Sequence, residues 1–182
     1  MGKAVAVVAP YMPLVLSFFC LIAAWRFGDW RNWRKYYSSL IFTICVDFMI
    51  SILLYNHSLW YFHKAFLAPN HTIADFLIAF TNFPAIVLLY LSHYPYHSRL
   101  LKQIVYMIVW AGSFVLIESI FLYVKLLSYH NGWNLGWSIL VWIFMFFGLR
   151  LHDTKPLWAW LFCFVTSIFL IIYFQIPIST LK

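Results

Sequence analysis

Two acidic residues stand inside apolar stretches of the sequence, where a carboxylate is costly and therefore indicates a function. Asp47 lies in the second apolar stretch, and Glu118 lies in the fourth. Thr43 and Ser51, four residues to either side of Asp47, would share one helix face with it. Two carboxyl groups at a similar depth, with hydroxyl neighbours, are suited to bind a cation or to carry protons. The sequence therefore predicts a ligand or proton site around these four residues.

Other polar residues fall at about the same depth. Asn82 and Pro84 lie at the centre of the third apolar stretch, where the proline removes a backbone donor and bends the helix. Asn82 therefore belongs to the candidate site. A structural role stays open as the alternative, in which a neutral Asp47 is hydrogen-bonded to a neighbouring helix, and Glu118 does the same or pairs with a lysine.

The histidines offer one weak candidate for a metal site. His71 and Asp75 are four residues apart, a spacing at which two side chains on a helix can meet one ion. Interfacial histidines without a metal are commoner, so the leading expectation is that no metal binds. The sequence has no GxSxG, HExxH or GxxxxGK[ST] motif and no long polar segment to hold a cofactor, so we expect no cofactor.

Six apolar segments must position these residues. Only 9% of the 182 residues are charged and 65% are hydrophobic, whereas about 25% are charged in an average soluble domain. This composition excludes a soluble globular protein, and the 23% of aromatic residues excludes a disordered chain. Because a helix needs about 20 apolar residues to cross a bilayer, the sequence predicts an all-α bundle of six transmembrane helices in one domain, 1–182. The predicted spans are 4–25, 38–55, 74–92, 104–127, 133–149 and 157–176.

The basic residues predict the orientation of the bundle. The loops after the first, third and fifth spans carry eight of the twelve lysines and arginines. Basic loops stay in the cytoplasm, so we expect these three loops inside a plasma membrane and both termini outside it.

The loop between the first two spans is both basic and aromatic. Trp30 and Trp33 have helical spacing, which predicts a short helix lying flat at the membrane surface. Arg31, Arg34 and Lys35 would then contact anionic lipid headgroups. The loop is short and held at the membrane, so nucleic acid is not expected as a partner.

Eight residues in the last third of the chain carry a resemblance to a known family. They are Tyr129, Gly132, Trp133, Ser138, Arg150, His152, Pro156 and Trp160. In these residues, in the basic and aromatic loop and in the acid of the second span, the chain resembles small, uncharacterised multi-pass membrane proteins of spore-forming Gram-positive bacteria. The resemblance implies a bacterial plasma membrane. It implies no established activity and no catalytic residue.

The sequence leaves three functions open. The favoured one is the handling of a small solute or cation, including proton-coupled transport, through the polar site at the middle of the membrane. The alternative is a non-catalytic membrane subunit that docks a partner membrane protein, a second copy of itself or a lipid. The third and least favoured is an intramembrane enzyme acting on a lipid, with Glu118 or His152 as acid or base. The leading expectation is therefore that the protein is not an enzyme.

Overall fold

The structure, a computed structural model, describes residues 7–177. In chain order its helices and strands are α1 (Met12–Phe27), α2 (Trp33–Leu53), β1 (Trp60–Phe62), α3 (His71–Leu77), α4 (Phe83–Ser92), α5 (Leu100–Tyr123), β2 (Leu127–Tyr129), α6 (Leu135–Thr154) and α7 (Pro156–Tyr173). Short 3-10 turns at Ala9–Tyr11 and Trp30–Asn32 precede α1 and α2. A π-helical turn, Ile78–Asn82, joins α3 to α4, so that these three pieces form one continuous span.

The predicted all-α bundle is confirmed, because six helical segments of the described range are long and apolar enough to span a membrane. The segments are Ala9–Phe27, Trp30–Leu53, His71–Ser92, Leu100–Tyr123, Leu135–Thr154 and Pro156–Tyr173. The second and fourth begin earlier than predicted, because polar and aromatic residues such as Arg34 and Tyr36 stay helical although they are not apolar. The predicted start of the first span, at residue 4, lies outside the described residues.

The basic and aromatic loop does not form the separate helix predicted from its spacing. Trp30–Asn32 makes a single 3-10 turn, and α2 begins directly afterwards at Trp33. The indole N–H of Trp30 donates to the carbonyl oxygen of Ala24 at 2.6 Å, which ties this turn to the end of α1. The prediction of a separate surface helix is therefore wrong, because the segment from Trp30 onward forms the beginning of the second span.

The core of the bundle lies around α4. The third span is the most buried. In its most apolar stretch 39% of the residues are buried inside the protein, whereas in the first span the fraction is 6%. α4 packs against α1, α2 and α6. Its fully buried Tyr90 stacks on Tyr106 and donates its hydroxyl to the backbone oxygen of Phe146 at 3.1 Å. The third span is therefore the element around which the others are arranged.

Two loops meet at one end of the bundle in an antiparallel ribbon. β1 pairs with β2, so that Trp60 lies opposite Tyr129 and Phe62 lies opposite Leu127. We call this the ribbon end. The opposite, basic end carries eight of the ten lysines and arginines of the described range, and only Lys64 and Lys125 belong to the loops of the ribbon end.

Candidate functional site

A cavity of about 220 Å³ lies between the helices beside the ribbon. Three of the five acidic side chains of the chain line it, namely Asp47 on α2, Asp75 on α3 and Glu118 on α5. No lysine, arginine or histidine of residues 7–177 lines its wall. The wall of the cavity is therefore acidic.

Glu118 is held by three donors from other parts of the chain. Its Oε1 accepts from the hydroxyls of Tyr129 at 2.7 Å and Ser138 at 2.8 Å, and its Oε2 accepts from the indole N–H of Trp142 at 2.6 Å. The indole N–H of Trp133 donates to Ser138 Oγ at 2.9 Å and extends the network. Burial raises the pKa of Tyr129, so its hydroxyl stays a donor at neutral pH. All the donors are neutral, and this network gives Glu118 no cationic partner.

Asp75 is partnered by its own helix and by α2. Its Oδ2 accepts from the Ser51 hydroxyl at 3.3 Å and lies 3.4 Å from Nε2 of His71, one turn earlier. The backbone N–H of Phe62 donates to Nδ1 of His71, so the ring proton is on Nε2 and faces Asp75. The pair predicted from its spacing is therefore brought together. In the described range no group of three histidine, cysteine or acidic side chains is placed to hold a metal ion.

Asp47 differs from the other two acids because its Oδ2 is buried and accepts no hydrogen bond from the described residues. Thr43, one turn before it, donates its hydroxyl to the backbone oxygen of Ser39 at 2.8 Å instead. Asp75 lines the same cavity as Asp47. Asp47 thus presents an acceptor oxygen that these groups leave unused.

The π turn brings Asn82 to the cavity. Asn82 is 7% exposed, and its Oδ1 accepts from the hydroxyl of Thr81 at 3.2 Å. Pro84 follows two residues later and has no N–H to continue a regular helix. Wide turns of this kind are frequent at functional sites.

Four of the five residues predicted for the ligand or proton site line this cavity: Asp47, Glu118, Asn82 and Thr43. The fifth, Ser51, is not part of the wall and instead contacts Asp75. Asp75, which the sequence indicates only as a weak candidate metal ligand, lies among the acids of this wall. The charge of Asp75 could have indicated this place, because the residue lies inside a helix that is apolar enough to span a membrane.

The site is displaced from the position predicted for it. Asp47 and Glu118 lie about 8 Å and about 10 Å beyond the middle of the second and fourth spans, at 1.5 Å per residue. The prediction placed both near the middle, because it both began and ended these two helices too late. The acids belong to the half of the bundle nearer the ribbon.

The residues predicted to contact lipid headgroups lie at the basic end. Arg31, Arg34 and Lys35 are exposed, and Trp30 and Trp33 are each 47% exposed. The guanidinium of Arg34 lies 5.9 Å from the centre of the Trp33 ring. This placement is compatible with headgroup contact, which stays a prediction.

A second polar cluster, which the sequence did not predict, lies at the basic end. The guanidinium of Arg150 lies 5.0 Å from the ring of Tyr94 and 4.8 Å from the ring of Tyr96. The hydroxyl of Tyr96 donates to Asp153 Oδ2 at 2.6 Å, and burial raises the pKa of Tyr96. These contacts join α6 to the loop after α4 at the end opposite the ribbon.

His152, which sequence analysis considered as an acid or base, lies outside the cavity. Its Nδ1 lies 3.0 Å from Ser39 Oγ, and its ring stacks on Phe42 with 4.2 Å between the ring centres. It is 6% exposed. Glu118 and His152 therefore do not share one site.

Comparison of the chain with protein-family models, with curated proteins and with solved structures finds no match. The resemblance to membrane proteins of spore-forming bacteria stays a prediction.

Proposed function

We propose that this protein is a multi-pass membrane protein that takes a small cationic solute, or protons, into the acidic cavity and moves them across the bilayer. The observation that carries the proposal is the wall of the cavity, with three carboxyl groups and no basic side chain from the described residues. A buried carboxylate without a counter-charge is costly. A bound cation or an added proton removes that cost, so the cavity favours a positive charge from outside the chain.

A cation and a proton would compete in this cavity. Asp47 offers an unused oxygen, which can bind either a proton or a cation but not both at once. Binding of a cation therefore favours release of a proton, and the reverse. This linkage supports proton-coupled movement of the solute.

The proposed location is the plasma membrane of a bacterium, with the basic end in the cytoplasm and both termini outside. The support is the concentration of lysine and arginine at one end of the described chain. In this orientation Arg31, Arg34 and Lys35 would lie among anionic headgroups of the inner leaflet.

Reconstituted vesicles test the proposal. Purified protein is placed in liposomes that contain a pH-sensitive dye, and gradients of Na⁺, K⁺ or a small amine are imposed. We expect proton movement in response to at least one cation and its loss in Asp47→Asn, which should still elute as a folded protein. Asp29→Asn is the matched control, because that carboxylate lies at the other end and accepts from Asn32 and Tyr36. Flux that is equal in wild type and Asp47→Asn, or absent from wild type, would contradict the proposal.

The weak packing of the first span favours a second candidate, a subunit that docks a partner helix or a second copy of the chain. Phe19 is 69% exposed and Trp25 is 74% exposed on α1. If docking is the function, Asp47→Asn is silent, whereas alanine at Phe19 and Trp25 reduces the mass of the purified assembly measured by light scattering. An unchanged mass would contradict self-association through α1.

A further inference from the structure

We infer that the solute is a small organic monocation, with an ammonium group bound at Asp47 and an apolar body of about one aromatic ring inside the cavity. This inference rests on the proposed function and names the class of solute that the same cavity would take. It follows from three features of the cavity: its free acceptor, its apolar wall and its size.

The three acids differ in what they can offer a ligand. Both oxygens of Glu118 are occupied by donors at 2.6–2.8 Å. Asp75 Oδ2 is engaged by Ser51 and His71. Asp47 Oδ2 is the buried carboxyl oxygen for which the described residues supply no donor. This buried oxygen can accept from one ammonium group, so we expect a ligand with a single ammonium group.

The wall is poorly suited to a hard divalent cation. A hard divalent ion such as Ca²⁺ takes about 6–8 oxygen ligands. Apart from the three carboxyl groups, side-chain oxygens of the wall come from Thr43, Asn82 and Ser138, and both Glu118 oxygens and Asp75 Oδ2 already accept hydrogen bonds from the chain. The oxygens that remain are too few to replace the hydration shell of such an ion.

The wall is well suited to an organic cation. Aromatic rings attract an ammonium group through their faces and also pack against an apolar body. The aromatic side chains of the wall are Trp60, Phe62, Phe83, Phe114, Phe121, Trp133 and Trp142.

The volume of the cavity limits the size of the body. An apolar cavity of about 150 Å³ binds benzene. The present cavity of about 220 Å³ therefore has room for one aromatic ring and a short arm that carries the amine. Benzylamine has these dimensions and is a suitable probe.

Calorimetric titration of the purified protein in detergent at neutral pH tests the inference. The four probes are benzylamine, benzyl alcohol as its uncharged counterpart, methylammonium as the charge without the ring, and Na⁺. We expect benzylamine to bind at least about tenfold more tightly than the other three. Asp47→Asn should lose at least about tenfold in benzylamine affinity, whereas Asp29→Asn should keep it.

Three results would overturn the inference. Equal binding of benzyl alcohol and benzylamine would mean that the cavity recognises only apolar bulk, and full benzylamine affinity in Asp47→Asn would mean that this carboxyl group is not the partner. Flux of H⁺, Na⁺ or K⁺ that depends on Asp47, without benzylamine binding, would refute the organic cation and leave the proposed function standing. Benzylamine binding without any flux would keep the ligand class and refute transport.

Discussion

Glu118 and Asp47 carry the same chemical group in opposite surroundings. Three neutral donors from the ribbon and α6 hold Glu118, and Asp47 Oδ2 meets none in the described range. Glu118 is therefore bound into the fold through its oxygens, and Asp47 is not. We therefore expect substitutions of Glu118 to change mainly the stability of the protein, and substitutions of Asp47 to change mainly its function.

Removal of the Glu118 carboxyl group should destabilise the protein. In Glu118→Ala the half-buried indole N–H of Trp142 loses its acceptor, while the hydroxyls of Tyr129 and Ser138, 3.0 Å apart, can still bond to each other. We expect a loss of about 2–4 kcal/mol in unfolding free energy. Glu118→Gln should lose about 1 kcal/mol, because its amide oxygen can still accept from Trp142 and its amide N–H can donate to a hydroxyl. Denaturation in detergent measures both, and equal losses would contradict the network.

Asp47→Asn should leave stability within about 1 kcal/mol of wild type, because its Oδ2 has no donor to lose. The same denaturation experiment measures it. A loss of several kcal/mol would show instead that an ionised Asp47 stabilises the protein through a partner such as a bound cation.

Stability should also fall at alkaline pH. Burial raises the pKa of Tyr129 and Tyr96 above the unfolded value of about 10. Each residue therefore contributes stability that is complete below about pH 10 and is lost as the pH rises toward the folded value. Tyr129→Phe should reduce the fall in unfolding free energy by up to about 1.4 kcal/mol per pH unit, measured between pH 9 and 11. A slope identical to wild type would mean that the hydroxyl is not buried in the folded protein.

Part of the candidate site could be predicted from the residues alone. Asp47 and Glu118 stand out because a carboxyl group is rare inside an apolar helix. The donors to Glu118 could not be predicted, because Tyr129 and Trp142 lie 11 and 24 residues away, and only the folded bundle brings them to its oxygens.

At the scale of an element, the connection between α1 and α2 depends on the absence of a side chain. A Cβ atom added at Gly28 would lie 2.7 Å from Leu88 Cδ2 and closer still to the backbone oxygen of Ala24. Gly28 therefore allows the end of α1 to approach α4.

Gly28→Ala should cost about 1–3 kcal/mol of unfolding free energy, because backbone or the packed Leu88 must move. Gly112→Ala is the matched control. Nothing lies within 4 Å of a Cβ atom added there, so the substitution should be neutral or stabilising by up to about 1 kcal/mol. Thermal unfolding in detergent compares the two, and an equal effect would argue against close packing at Gly28.

The helices could be predicted more fully than the ribbon. A spanning helix needs a long apolar run, and each of the six runs is visible in the sequence. β1 and β2 have three residues each, and Trp60 pairs with Tyr129, 69 positions later in the chain. Strands of that length leave no periodic pattern, so their pairing could not be predicted.

At the scale of the whole molecule, the two ends differ in charge. We expect the basic end inside the cell, as proposed above. In a cysteine-free background, Lys64→Cys should react with a membrane-impermeant maleimide added to intact cells, and Asn32→Cys should react only after permeabilisation. Both positions are exposed. The reverse pattern would show that the bundle is inverted.

The π turn has a consequence for helical phase. Each residue of an α-helix advances the side chains by about 100°, so the additional residue of a wide turn rotates α3 by about that angle relative to α4. With a regular turn in place of Ile78–Asn82, α3 would keep its sequence but present a different face to α2, and Asp75 would turn away from Ser51 and the cavity. Gain or loss of one residue in this segment therefore changes the number of acidic side chains that line the cavity, although no acidic residue of the sequence is substituted. In an evolving chain, such an insertion adds or withdraws a carboxyl group from the site in one step.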